Sequence, residues 1–138
     1  MLSEITEIKV RFNEVDPLGI TWHGHYLRYF EDGREAFGAK YGLGYLEMYK
    51  LGFVVPIVNI NCNYKKSLQY GDKAIIETTF IDNPAAKIIF EYKIYNPETL
   101  EIISVGKSVQ VFLDIHTKQL QIKTPEFFEN WKINNNLI

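Results

Sequence analysis

Asp16, Thr21, His23 and His25 fall within ten residues of one another, between a strand-like run that ends near Phe12 and a helical pattern that starts near Tyr26. A carboxylate can attack a carbonyl carbon or draw a proton from water, and an imidazole can orient a substrate or relay a proton. The amides of a helix's first turn have no partner within the helix and carry partial positive charge, so they can hold the oxygen of a carbonyl under attack. Asp16 and His23 are therefore the candidate catalytic residues, Asp16 as base or nucleophile and the amides near His23 as an oxyanion hole. Asp16-Pro17-Leu18-Gly19 fits a type I turn, with Asp first, Pro second and Gly fourth. Proline pushes the residue before it into extended backbone, so the Asp16 carboxylate is expected to point away from the turn. For His23 the competing reading is a side-chain hydrogen bond that caps the helix. His23-Gly24-His25 has no carboxylate or cysteine at ligand spacing, so no metal site is expected.

The elements that must position these groups can be read from periodicity. Ile8, Val10 and Phe12 alternate with Lys9 and Arg11, the two-residue period of a half-buried strand that would deliver Asp16 to its turn. Tyr26, Phe30, Gly33, Phe37 and Tyr41 recur at helical spacing and make one apolar stripe. Arg28 and Asp32 are placed to pair on the other face, and Glu31 and Arg34 to form a structural ion pair. Gly33 and Gly38, poor helix formers, point to close packing against a sheet. Tyr45 to Leu51 can make a second helix closed by Gly52.

Four strands follow: Phe53 to Tyr64, with Pro56 confining its early part to an edge; Lys73 to Asp82; Lys87 to Tyr95; and Glu101 to Asp114, bent by a bulge at Gly106-Lys107. Asn59, Asn61 and Asn63 alternate with Val58, Ile60, Cys62 and Tyr64, so the asparagines share a solvated face, and Cys62 reads as a buried small hydrophobe. A short strand near Leu120 to Ile122 and a helix capped by Thr124, with Pro125 at its first position, complete the chain, and Asn134 to Asn136 should fray. One long helix followed by antiparallel strands is an α+β arrangement in which the sheet must cover the helix.

Asp16 and Gly19, then Trp22-His23, then Tyr26, Tyr29, Glu31 and Arg34 resemble in register the signature of the hotdog-fold acyl-CoA thioesterases of the 4-hydroxybenzoyl-CoA thioesterase type. Val15, Gly33 and Phe12 depart from that pattern. The resemblance implies a single hotdog domain over residues 1–138, a long helix wrapped by an antiparallel sheet of about five or six strands. It implies hydrolysis of an acyl-CoA, with acyl groups on acyl carrier protein as the related alternative and a non-catalytic acyl-binding module as the rival from another class. It points to the His23 amide as oxyanion donor and runs the strand of Asn59 and Asn61 along a dimer contact near the site. Gly19 and Trp22 are further candidates to meet substrate, with core or interface as the favoured reading of Trp22. Lys65 and Lys66 are candidates to meet the phosphates of coenzyme A. No cofactor is expected beyond the coenzyme A of the substrate, and a homodimer or homotetramer is.

Composition bounds the rest. Of 138 residues, 46% are apolar and 23% charged, which fits one globular domain. The net charge of -2 and the scattered basic residues argue against a nucleic-acid partner. Cys62 is the single cysteine, so an internal disulfide is impossible and a cytoplasmic, reducing location is expected. No apolar run approaches the ~20 residues of a membrane span.

Overall fold

The computed structural model describes residues 1–138. In chain order the elements are β1 (Ser3–Lys9), a single 3₁₀ turn (Phe12–Glu14), α1 (His25–Tyr41), α2 (Tyr45–Lys50), β2 (Phe53–Val54), β3 (Ile57–Tyr64), β4 (Lys73–Ile81), β5 (Lys87–Tyr95), β6 (Ile102–Val111), β7 (Leu113–Asp114) and α3 (Glu126–Asn134). Five strands form one antiparallel sheet in the order β1-β4-β5-β6-β3, and β2 pairs with β7 apart from it.

One face of the sheet is apolar because alternate residues point the same way. Ala74, Ile76, Thr78 and Phe80 of β4 and Ile88, Phe90, Tyr92 and Ile94 of β5 are all buried. Onto this face α1 lays Tyr26, Phe30, Gly33 and Phe37, every one buried, as its stripe requires. Phe30 stacks on Tyr92 with ring centroids 4.4 Å apart, and Phe37 meets Phe90 edge-on at 4.9 Å. At the far end α3 closes the core with Phe128 and Trp131, whose indole nitrogen donates to the Tyr41 carbonyl at 2.7 Å.

Two glycines let helix and sheet approach. A Cβ on Gly33 would strike Thr78 Oγ1, as the glycine content of the helix suggested, whereas Gly38 lies against the backbone of Leu43 and Gly44 rather than the sheet. Gly106 does not mark a bulge: β6 keeps register with both neighbours there, and the irregularities fall at Ile57/Asn59 and Ile94/Tyr95. Its reason is steric, since a Cβ would enter the Phe30 ring and meet the Asn61 carbonyl.

Other expectations fail where a tertiary partner outcompetes a local one. Alternation stops at Val10; Phe12 sits in the 3₁₀ turn, 75% exposed, with its ring edge-on to Tyr70. Pro56 splits the expected long strand into β2 and β3. Arg34 is 8% exposed and donates to the hydroxyls of Tyr92 (2.9 Å) and Tyr45 (3.3 Å), while Glu31 stays in solvent. Pro125, not Thr124, precedes α3, without a side-chain cap. Residues after α3 are held rather than frayed, as Asn135 Nδ2 donates to the Trp131 carbonyl and the Leu137 amide to that of Lys132. Near Leu120 there is one bridge to Leu113 and no strand.

Arg28 does not pair with Asp32; its guanidinium bonds Glu14. Glu14, 4% exposed, also accepts from the Arg11 amide (2.8 Å) and the Tyr29 hydroxyl (3.0 Å), and its carbonyl accepts the Trp22 amide at 2.9 Å. One residue thus ties the end of the strand segment to both the approach and the first turns of α1. Burial alone would push the Glu14 carboxyl up, but the Arg11 amide, Arg28 and Tyr29 outweigh it and hold it below the ordinary 4.5.

Gly106→Ala should cost about 1–3 kcal/mol by urea titration, because the Asn61 backbone cannot yield to the added methyl. A carboxyl depressed on folding stabilises above its unfolded value, and that contribution is lost as pH falls below 4.5. Glu14→Gln should therefore lose melting temperature less steeply than wild type in that acid range. Glu14→Ala, which strands the Tyr29 hydroxyl, should cost about 2–3 kcal/mol at neutral pH.

Candidate active site

The turn that carries Asp16 is closed by the Gly19 amide donating to the Asp16 carbonyl at 2.9 Å, with Gly19 at φ +81 where a side chain would be strained. The Val15–Thr21 bridge and the Asp16 amide's bond to the Ile20 carbonyl (2.9 Å) hold the base of this turn. The carboxylate does not point away from it. Oδ1 accepts the Leu18 amide at 2.8 Å, the local bond that aspartate makes two residues on when proline has set the backbone. Oδ2 takes no hydrogen bond from the chain and is free to act.

After Thr21 the chain turns into α1 through a tight step, the His25 amide donating to the Trp22 carbonyl (3.0 Å) and the Tyr26 amide to that of His23 (3.3 Å). Those bonds consume two amides of the helix approach. The His23 and Gly24 amides donate to no acceptor of the chain. Gly24 is the cap residue and no side chain caps the helix, which removes the capping role for the His23 imidazole. Trp22, 48% exposed, lays its ring over Gly24, where a Cβ would collide with it.

Asp16, Thr21 and His23 line one cleft of about 310 Å³ together with Tyr64, Lys65 and Lys66. Expected residues are thereby brought together from the turn, the helix start and the end of β3. Lys66 is engaged by Glu101 at 2.9 Å, whereas Lys65 has no carboxylate partner. Gly19 shapes the turn without lining the cleft, and Trp22 stands outside it. Asn59 is exposed, and Asn61 lines a depression on the outer face of the sheet with Glu77 and Lys93, so neither reaches this cleft within one chain.

Tyr64 was legible only as one member of an alternating strand, yet its hydroxyl donates to the His23 carbonyl at 2.8 Å. Its position next to Lys65-Lys66 was the available signal. Cys62, two residues earlier, is half-buried, and burial pushes its thiol up, which makes it a poor nucleophile. A larger hollow of about 660 Å³ lies between β1 and α1, but it contains neither Asp16 nor an unpaired helix amide, and Glu14 on its wall is fully engaged. No group of three or more His, Cys, Asp or Glu side chains is placed to hold a metal ion, and no helix is long and apolar enough to cross a membrane.

Residues 10–131 match the family model of the thioesterase-like superfamily. YneP of Bacillus subtilis, a proposed acyl-CoA thioesterase, is 43% identical over 91 residues, which are 66% of this chain and 66% of that protein. The chloroplastic acyl-acyl carrier protein thioesterase ATL3 of Arabidopsis thaliana is 28% identical over 116 residues, 84% of this chain and 61% of ATL3. The crystal structure of a DHNA-CoA thioesterase from Staphylococcus aureus superposes with a TM-score of 0.86 at 29% identity, over 99% of this chain and 93% of that one. With an α+β hotdog architecture and a match over most of its length, the chain belongs to the thioesterase-like superfamily.

Proposed function

We propose that the protein hydrolyses an acyl-CoA thioester to a carboxylic acid and free coenzyme A. The observation that carries this reading is the shared cleft, which Asp16 and His23 both line, His23 with an amide that donates to no acceptor of the chain. In this mechanism the thioester carbonyl oxygen rests on the His23 amide, and Asp16 either attacks the carbonyl carbon or takes a proton from the water that does. Charge that develops on the oxygen is held by the amide and by the partial positive charge of the helix start. Collapse of the tetrahedral species expels the thiolate, a good leaving group, so no strong general acid is required. Where Asp16 has attacked, this leaves an acyl–aspartyl anhydride, which water then hydrolyses to the acid and the free carboxylate. The His23 imidazole, exposed at the cleft, is free to orient the substrate.

Lys65 is the better candidate of the two lysines for the phosphates of coenzyme A, because Lys66 is already paired. The names of YneP and of the Staphylococcus aureus enzyme favour coenzyme A as carrier, and that of ATL3 keeps acyl carrier protein as the second reading. The proposal includes one domain over residues 1–138 and a homodimer or homotetramer. β3 is an edge of the sheet and presents unpaired backbone groups there, which supports pairing with a second copy. Asn59 and Asn61, which lie on that strand, would then meet substrate only through the assembly. Gly19 acts through the turn, and Trp22 through the helix approach.

Free-thiol release from a panel of acyl-CoAs tests the reading. Asp16→Asn should lower kcat by at least about 100-fold while acyl-CoA still binds. Equal rates in the two proteins would remove Asp16 from the mechanism. Lys65→Ala should raise KM for acyl-CoA by roughly 3- to 10-fold with kcat unchanged, an effect that shrinks as salt is added, and Lys66→Ala should do less. Comparing turnover of one acyl group on coenzyme A and on acyl carrier protein separates the two carriers.

A further inference from the structure

The Tyr64 hydroxyl reaches from the last residue of β3 to the carbonyl of His23, 41 residues earlier, at 2.8 Å. That carbonyl also accepts the Tyr26 amide, at a longer 3.3 Å, so Tyr64 is its closer donor. A peptide unit is planar and trans, with its N–H opposed to its C=O. Fixing the His23 carbonyl therefore fixes the direction of the unpaired Gly24 N–H, while the His23 N–H belongs to the preceding peptide, whose Trp22 carbonyl accepts the His25 amide. No other side chain hydrogen-bonds this step, since the helix has no side-chain cap and the Trp22 ring over Gly24 makes only packing contacts. Tyr64 is itself held, edge-on to Tyr26 at 4.9 Å and to His23 at 6.4 Å. Burial first, then the neighbouring Cys62, push its hydroxyl up to about 12, so it keeps the proton it donates through the neutral range.

We propose that Tyr64 is a positioning residue for the hydrolysis, locking the His23–Gly24 peptide and with it the unpaired Gly24 amide, an oxyanion donor of the helix start beside that of His23. This rests on the hydrolase reading above, and it adds a link between the edge strand of the sheet and the oxyanion donor. A contact of this kind changes the geometry in which the carbonyl is stabilised and leaves the surface that binds the carrier untouched. Its signature is a loss in kcat without a rise in KM.

The test is Tyr64→Phe, which removes one hydroxyl from a residue 49% exposed and keeps the ring packing, so that the melting temperature should stay close to wild type. Two readouts are compared. In amide NMR spectra of the free proteins, the His23 and Gly24 resonances should shift more than those of residues equally near the ring, because the Gly24 N–H loses the polarisation transmitted through its carbonyl. In acyl-CoA turnover, kcat should fall roughly 10-fold with KM within about twofold of wild type, less than the loss on deleting an oxyanion donor outright. Unmoved His23 and Gly24 resonances would overturn the proposal, as would an unchanged kcat. A raised KM with constant kcat would also overturn it, by making Tyr64 a substrate contact. Should wild type hydrolyse no acyl-CoA, the hydrolase reading falls in both proteins alike, and the amide spectra still decide whether Tyr64 sets the peptide.

Discussion

The candidate site depends on one buried carboxylate. Glu14 accepts the Arg11 amide, the Tyr29 hydroxyl and the Arg28 guanidinium with its side chain and the Trp22 amide with its carbonyl. Asp16 lies two residues after it and His23 one residue after Trp22, so the same residue bounds both halves of the chemistry. Such a carboxylate is costly to bury and is tolerated only because each oxygen has a donor. The consequence is geometric: the turn and the helix approach are joined by bonds from a residue that takes no part in the reaction.

Behind this junction the helix is held by shape. Phe30 lies flat on Tyr92 and above Gly106, and Gly33 brings the helix backbone onto Thr78. The helix-facing residues of β6 are accordingly small or polar, Ser104, Gly106, Ser108 and Gln110, while β4 and β5 supply the large apolar groups. Ser108 and Gln110 of this face are drawn into a network: Tyr92 bonds both Arg34 and Ser108, and Gln110 bonds Tyr45 and the Val55 carbonyl. Arg34 is thus satisfied by hydroxyls on α2 and β5, which anchor α1 to the parts of the chain that follow it.

Periodicity carried the sequence reading a long way. The stripe from Tyr26 to Phe37 and the bounds of β5 emerge from spacing alone, because period and burial coincide wherever one face meets the core. The turn at Asp16 was equally readable, Pro and Gly having few other uses in that order. Charges were not readable, because spacing reports only neighbours three or four apart. Arg28 had Asp32 within that range, but folding brings up Glu14 from 14 residues earlier, its carboxylate buried beneath an Arg28 that stays exposed. Gly106 misled for a related reason: a glycine in a strand can mean a bulge or a close approach, and only the position of Phe30 decides between them. The link from Tyr64 to His23 joins two elements with no local relation, so no spacing rule could have found it.

The size of the cleft carries one more consequence. At about 310 Å³ it sits at the low end of pockets that enclose small ligands, which run from about 300 to 1,000 Å³. Such a volume holds a thioester and its nearest atoms, not a whole acyl-CoA. Asp16, Thr21, His23, Lys65, Lys66 and Ser67 supply its polar walls, and Leu18, Ile20, Tyr26 and Tyr64 its apolar ones. In the proposed reaction the reacting bond would be served by groups from one chain, and the remainder of the substrate would lie along surfaces beyond them. The β3 edge is open beside this cleft, so in the proposed reaction a second copy paired there would add the surface along which the acyl group lies.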